Sequence, residues 1–153
     1  MRKLLWLIVP ILLIVSCKKD KTTEAEKNYP QLIKGKWELD KTVIYYTPTG
    51  QSGTATDVDE AEDNDYYYTF TNNEVIVTLN GDNTPFLNFN YTLSGRLLTL
   101  TNTANTDVFE GEIEKLNNKD LTIKHYEGAG DLLYDEEELL GTIQYVRMYM
   151  ERD

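Results

Sequence analysis

The stretch from Tyr66 to Asn80 (YYYTFTNNEVIVTLN) can fold in very few ways. It is dense in aromatic and β-branched residues, which suit a pleated, half-buried surface. Placing Asn72-Asn73 as a two-residue turn sets Phe70 opposite Val75, Tyr68 opposite Val77 and Tyr66 opposite Leu79. All six side chains then share one face, and Asn tolerates the positive φ such a turn requires. Pattern and turn agree on a β-hairpin.

The same reading extends along the chain. A hairpin at Ser94-Gly95 sets Tyr91 opposite Leu98 and Phe89 opposite Leu100, with Leu87 on the same face. A third hairpin needs the loop Leu116-Asn117-Asn118, which brings Ile113 opposite Leu121 and Phe109 opposite His125 and keeps the apolar face whole. The spacing predicts eight strands, at 36–46, 66–71, 74–80, 86–94, 96–101, 107–116, 119–126 and 142–152. Most are joined by tight turns, and no amphipathic helix interrupts them. An eight-stranded meander leaves two open edges unless it closes, so the expected fold is all-β, a small antiparallel up-and-down barrel. Such a barrel holds its own side chains or one small ligand. Two connections are long, Thr47 to Asp65 and Glu127 to Gly141. The second is amphipathic and reads as a short helix or as a hairpin tip over the barrel mouth. Connections of that length in a small domain are commonly functional.

The N-terminus is organised differently. Arg2 and Lys3 precede an apolar run, Leu4 to Val15, and Ile14-Val15-Ser16-Cys17 follows as a lipobox. The run is too short for a membrane span of ~20 residues. It resembles a bacterial lipoprotein signal, with residues 1–16 removed and Cys17 acylated; a non-lipidated secretory signal is the rival reading. Residues 17–30 then form the lipidated cysteine and a polar tether, and 31–153 form the domain. Lys18-Lys19-Asp20 resembles the post-cysteine stretch of Bacteroidetes-type lipoproteins. Localisation is expected at the outer membrane, on its periplasmic or its cell-surface side. Cys17 is the only cysteine, so no disulfide framework or thiolate metal site supports the fold. The formal charge of −11 becomes −13 once Arg2 and Lys3 are removed. A domain this acidic repels nucleic acid and anionic headgroups.

Gly35-Lys36-Trp37, at the start of the first strand of an eight-strand meander and behind a lipobox, resembles the Gly-x-Trp signature of lipocalin-like proteins. Leu32 and Ile33 stand where that family has a short helical turn. The resemblance covers Leu32 to Arg152 and implies that residues 47–65 act as a lid. It also implies an arginine laid across Trp37, for which Arg147 and Arg152 both qualify. The other lipocalin motifs and the C-terminal helix are not recognisable.

Catalysis is not expected. His125 is the only histidine, and no Ser-His-acid arrangement or metal-binding histidine motif accompanies it. Asp57, Asp59, Glu60, Glu62, Asp63 and Asp65 make a dense acidic run, but it lacks the spacing of a calcium loop and reads as solvated. Glu136 to Glu138 read the same way. No catalytic residue, metal or cofactor is assigned. The expected inward face gathers Tyr45, Tyr66, Tyr68, Phe70, Phe89 and Tyr91 with Val75, Val77, Leu87, Leu98 and Leu100. These residues either fill the barrel or line a pocket for a small hydrophobic molecule. The leading expectation is a lipid-anchored binding protein. The alternatives are a filled barrel that binds an envelope protein, as an assembly factor or hydrolase inhibitor, and a glycan-acting enzyme.

Overall fold

The computed structural model describes residues 28–61, 66–79, 84–135 and 138–153. One helical turn, α1 (Tyr29–Leu32), is followed by β1 (Gly35–Pro48), β2 (Ala55–Glu60), β3 (Tyr66–Phe70), β4 (Glu74–Leu79) and β5 (Pro85–Ser94). Then come β6 (Leu97–Asn102), β7 (Val108–Leu116), β8 (Asp120–His125), β9 (Leu132–Asp135) and β10 (Glu138–Arg152). Antiparallel pairing runs β1-β3-β4-β5-β6-β7-β8-β10, and β10 pairs back onto β1. This ring of eight strands has no open edge. It is the small up-and-down barrel that the alternation predicts.

Two further strands correct the long-loop expectations. β1 and β10 are 14 and 15 residues long and outrun the ring. Their protruding halves would expose unpaired backbone groups, which must find partners. β2 pairs with β1 from Lys41↔Glu60 to Tyr46↔Ala55, and β9 pairs with the start of β10. Within the stretch 47–65, residues 55–60 therefore form a strand alongside β1. Asp57, Asp59 and Glu60 sit on that strand, while Glu62, Asp63 and Asp65 lie outside the described residues. Residues 127–141 take the hairpin form, not the helical one; Glu136 and Glu137 also lie outside the described residues.

The β3–β4 register matches the expected one at all three pairs. Its turn does not use positive φ, however. The Thr71 hydroxyl instead donates to the Glu74 carbonyl and accepts from the Glu74 N–H, each at 3.2 Å. The β5–β6 turn falls one residue later than expected, at Gly95-Arg96, because Gly95 takes φ 60° at the first turn position. Tyr91 thus faces Leu100 and Phe89 faces Asn102. A shift of two leaves every side chain on its expected face. In β7–β8 the Asn117 side-chain oxygen accepts from the Lys119 and Asp120 N–H groups, so Leu116 pairs with Leu121. A bulge at Glu114 then sets Ile113 opposite Ile123 and Gly111 opposite His125, in place of the expected Leu121 and Phe109 pairings. The bulge has a clear cause. Ile113 and Leu116 are three residues apart, and only an inserted residue lets both point inward.

One end of the barrel is closed by a lock between its first and last strands. Trp37 pairs with Arg152 across β1 and β10 and is fully buried. Its indole Nε1–H donates to the Ile33 carbonyl at 2.7 Å. The Arg152 guanidinium lies 4.2 Å from the Trp37 ring centroid and donates to the Leu32 and Lys34 carbonyls. Three carbonyls at the end of α1, which a helix terminus leaves without partners, are thereby satisfied. Tyr29 and Ile33 are buried beneath this lid. Tyr29, assigned to the tether from the sequence, is buried against the core. Of the two candidate arginines, Arg152 lies across Trp37.

Gly35 explains the first half of the signature. Its φ is +126°, and a Cβ there would stand 2.5 Å from Arg152 Nη1. Gly35→Ala should cost about 2 kcal/mol through backbone strain and displaced guanidinium. Urea unfolding followed by tryptophan fluorescence would read that loss as a lower midpoint at unchanged slope.

Candidate functional site

The barrel interior falls into two layers. Next to α1, Trp37, Phe70, Val75, Leu98, Ile113, Leu121 and Met150 are all buried and fill the space. Phe70 and Tyr91 meet edge to face at 5.5 Å, and the Tyr91 hydroxyl donates to the Thr71 carbonyl at 2.9 Å. Away from α1 the packing opens into a cavity of about 300 Å³, partly open to solvent. Its walls are Tyr68, Val77, Leu87, Phe89, Leu100, Phe109, Ile123 and Met148, with Glu110, His125 and Glu127 toward the polar side. Phe89 and Phe109 stand edge to face at 5.6 Å and shape one wall. A shallower vestibule adjoins it, sharing Phe109, Glu110 and Glu127 and adding Asp107, Val108 and Tyr126.

The polar groups are few. Burial lowers the pKa of His125, which keeps its imidazole neutral at neutral pH, and its buried Nδ1 has no hydrogen-bond partner. Burial pushes the Tyr68 phenol up to about 12, so it stays protonated. Burial and the neighbouring Asp107 carboxylate raise Glu127. No lysine or arginine lines the cavity or the vestibule.

Of the six aromatic residues expected to contact a ligand, Tyr68 and Phe89 line the cavity. Phe70 and Tyr91 belong to the filled layer instead, and Tyr66 packs partly buried against the core without lining the cavity. Tyr45 is on the outside. Unbroken alternation from Trp37 would turn it inward, but a register shift at Asp40 reverses the parity of β1. Tyr45 stacks on Tyr145 with ring centroids 4.4 Å apart, and Arg147 lies 4.7 Å over it. Arg147 is thus an outer-face residue, paired through Nε and Nη2 with the Glu114 carboxylate at 2.6 and 3.0 Å.

Sequence reasoning missed Phe109, Ile123, Met148, Glu110 and Glu127 as lining residues. For Phe109 and His125 a signal was present, since both were placed facing each other on one strand pair. Ile123 and Met148 required the bulges to be known. Among the described residues no cluster of three His, Cys, Asp or Glu could hold a metal ion. No described helix is long and apolar enough to cross a membrane. Cys17 lies outside the described residues.

The closed eight-stranded meander, locked by Trp37 and Arg152 at one end and hollow at the other, has the architecture of a small lipocalin-like barrel. Two solved structures are similar to it. One is a lipocalin-like protein from Bacteroides uniformis ATCC 8492, with a TM-score of 0.48 and 12% identity over 78% of this chain and 97% of that one. The other is an uncharacterized protein from Bacteroides eggerthii DSM 20697, with a TM-score of 0.47 and 12% identity over 78% and 98%. No family model and no curated protein matches the chain.

The outer-face pair has a testable pH signature. Arg147 holds the Glu114 carboxyl below the usual carboxylate range. A group with a depressed folded pKa contributes stability above its unfolded pKa and loses it as pH falls through the folded one. Glu114→Gln should therefore cost about 1 kcal/mol at pH 7 and almost nothing at about pH 2. Urea midpoints of both proteins across that range would show the two curves converging in acid.

Proposed function

We propose that this chain is a lipid-anchored envelope protein whose barrel binds one small, mainly apolar molecule. The observation that carries the reading is the half-open cavity of about 300 Å³ beside a filled layer. That volume is at the lower end of the roughly 300–1,000 Å³ typical of ligand sites. A core built only for stability would close such a space, because the side chains lining a void lose packing contacts. The buried His125 Nδ1 points the same way, since a polar atom left unpaired costs ~1–3 kcal/mol until a partner reaches it. The neutral phenol of Tyr68 supplies a second group able to orient a ligand. The hollow layer favours this reading over a filled barrel working only through its surface.

The anchor rests on the order of the first seventeen residues, a basic pair, an apolar run and a lipobox ending at Cys17. Three acyl chains on that cysteine would exceed what stable membrane attachment requires. The acidic domain would stay soluble beside the membrane, on whichever side of the outer membrane it is displayed.

Two experiments test the reading. Native mass spectrometry of the full chain, incubated with an extract of its own envelope, should show a discrete added mass that is lost on unfolding. Leu100→Trp should fill the cavity and abolish that mass while leaving the circular dichroism of the barrel unchanged; a bare protein mass across several extracts would contradict the proposal. Cys17→Ser should move the chain from the membrane fraction to the soluble fraction, and continued membrane retention would contradict the anchor.

A further inference from the structure

The charge at the mouth of the cavity narrows the ligand class, taking the binding reading above as its basis. The walls are hydrocarbon and aromatic, and every ionisable group that lines the open side is acidic or neutral. Glu127 follows His125 by two residues and sits at the mouth, where it lines both cavity and vestibule. Asp107 lies just before β7, two residues ahead of Phe109, and lines the vestibule. Glu110 adds to the rim, although alternation along β7 carries its side chain toward the outer face.

The acidic residues of the barrel divide into two groups: some are ion-paired, and others, among them Glu74, Asp131 and Glu151, have no ion pair among the described residues. Asp40, Glu112, Glu114 and Asp120 each have a lysine or arginine nitrogen within 4.0 Å. Glu127 and Asp107 have no such partner among the described residues; Asp107 takes only a 2.6 Å hydrogen bond from Asn105 Nδ2. Lys124 stands beside the vestibule, 4.9 Å over the ring of Tyr126, which lines it. It also lies 4.0 Å over the Tyr145 ring, and Arg96 donates to the Ile113 and Glu114 carbonyls. Two exposed carboxylates thus stand at the mouth, near enough for Asp107 to raise the pKa of Glu127, and a bound cation would relieve that repulsion.

We propose that the cavity selects a small apolar amine, with its hydrocarbon or aromatic body between Phe89, Leu100 and Met148 and its ammonium against Glu127 and Asp107. The neutral His125 imidazole adds no repulsion to such a ligand, and its Nδ1 can accept a hydrogen bond from it. A carboxylate of the same shape would meet two like charges and no basic side chain in the lining. The site would then discriminate by charge at its rim and by size in its depth.

The test is calorimetric titration of the full chain in nonionic detergent at pH 7 with 3-phenylpropylamine, 3-phenylpropanol and 3-phenylpropanoate, each corrected for a detergent blank. The amine should bind about tenfold more tightly than the alcohol, a gap of ~1.4 kcal/mol, and the carboxylate more weakly than either. Glu127→Gln combined with Asp107→Asn should bring the amine to within about threefold of the alcohol, both measured on that variant. Equal binding of all three, or preference for the carboxylate, would overturn the charge selection and leave the binding cavity standing. Binding of none would overturn both.

Discussion

The structure depends on the contact between Trp37 near its beginning and Arg152 near its end. A single helical turn of four residues is not stable alone, because its nucleation cost is never recovered by propagation. Here the turn persists because the Trp37 indole and the Arg152 guanidinium take its terminal carbonyls, and because Tyr29 and Ile33 bury against the barrel. The same two side chains sit opposite each other across the β1–β10 seam, where the ring closes. One cluster thus caps a helix, seals the barrel end and fixes the register of closure. Gly35 belongs to it through space rather than through flexibility alone, since the guanidinium occupies the place of a side chain.

Once one end is sealed and packed, the other can stay hollow. The apolar residues around Leu98, Ile113, Leu121 and Met150 form a dense layer next to the lock. The layer beyond them holds the cavity and the unpaired His125 nitrogen. The packed layer and the cavity are therefore separated along the barrel axis. Above the rim, β1 and β10 continue as the centre of a four-stranded sheet flanked by β2 and β9. The acidic residues of β2 keep its free edge hydrated, which discourages edge-to-edge pairing.

Much of this was legible in the sequence, because period-two alternation and turn residues carry barrel topology. The eight ring strands could be read from alternation and from the turns at Asn72-Asn73, Ser94-Gly95 and Leu116-Asn118, the β3–β4 register from Tyr66 to Asn80, and the place of Gly-x-Trp from Gly35 to Trp37. What alternation cannot carry is its own interruption. The irregularity at Asp40 turned Tyr45 outward, and the bulge at Glu114 changed the partners of Ile113 and His125. β2 and β9 were hidden for another reason. They exist to pair protruding edges of β1 and β10, a need that appears only when the ring is assembled. The cavity was visible only as a choice between filled and hollow, since both use the same aromatic residues. Which of them line it depends on depth along the barrel, set by strand stagger and not by residue type.

The central claim is that one barrel is packed at the Trp37 end and empty at the other. A crystal of the protein pressurised with xenon tests it directly, because apolar cavities of this kind take up xenon and packed cores do not. The account expects a xenon peak between Phe89, Leu100 and Met148 and none beside Trp37. Density showing those side chains collapsed onto one another, with no xenon between them, would contradict it.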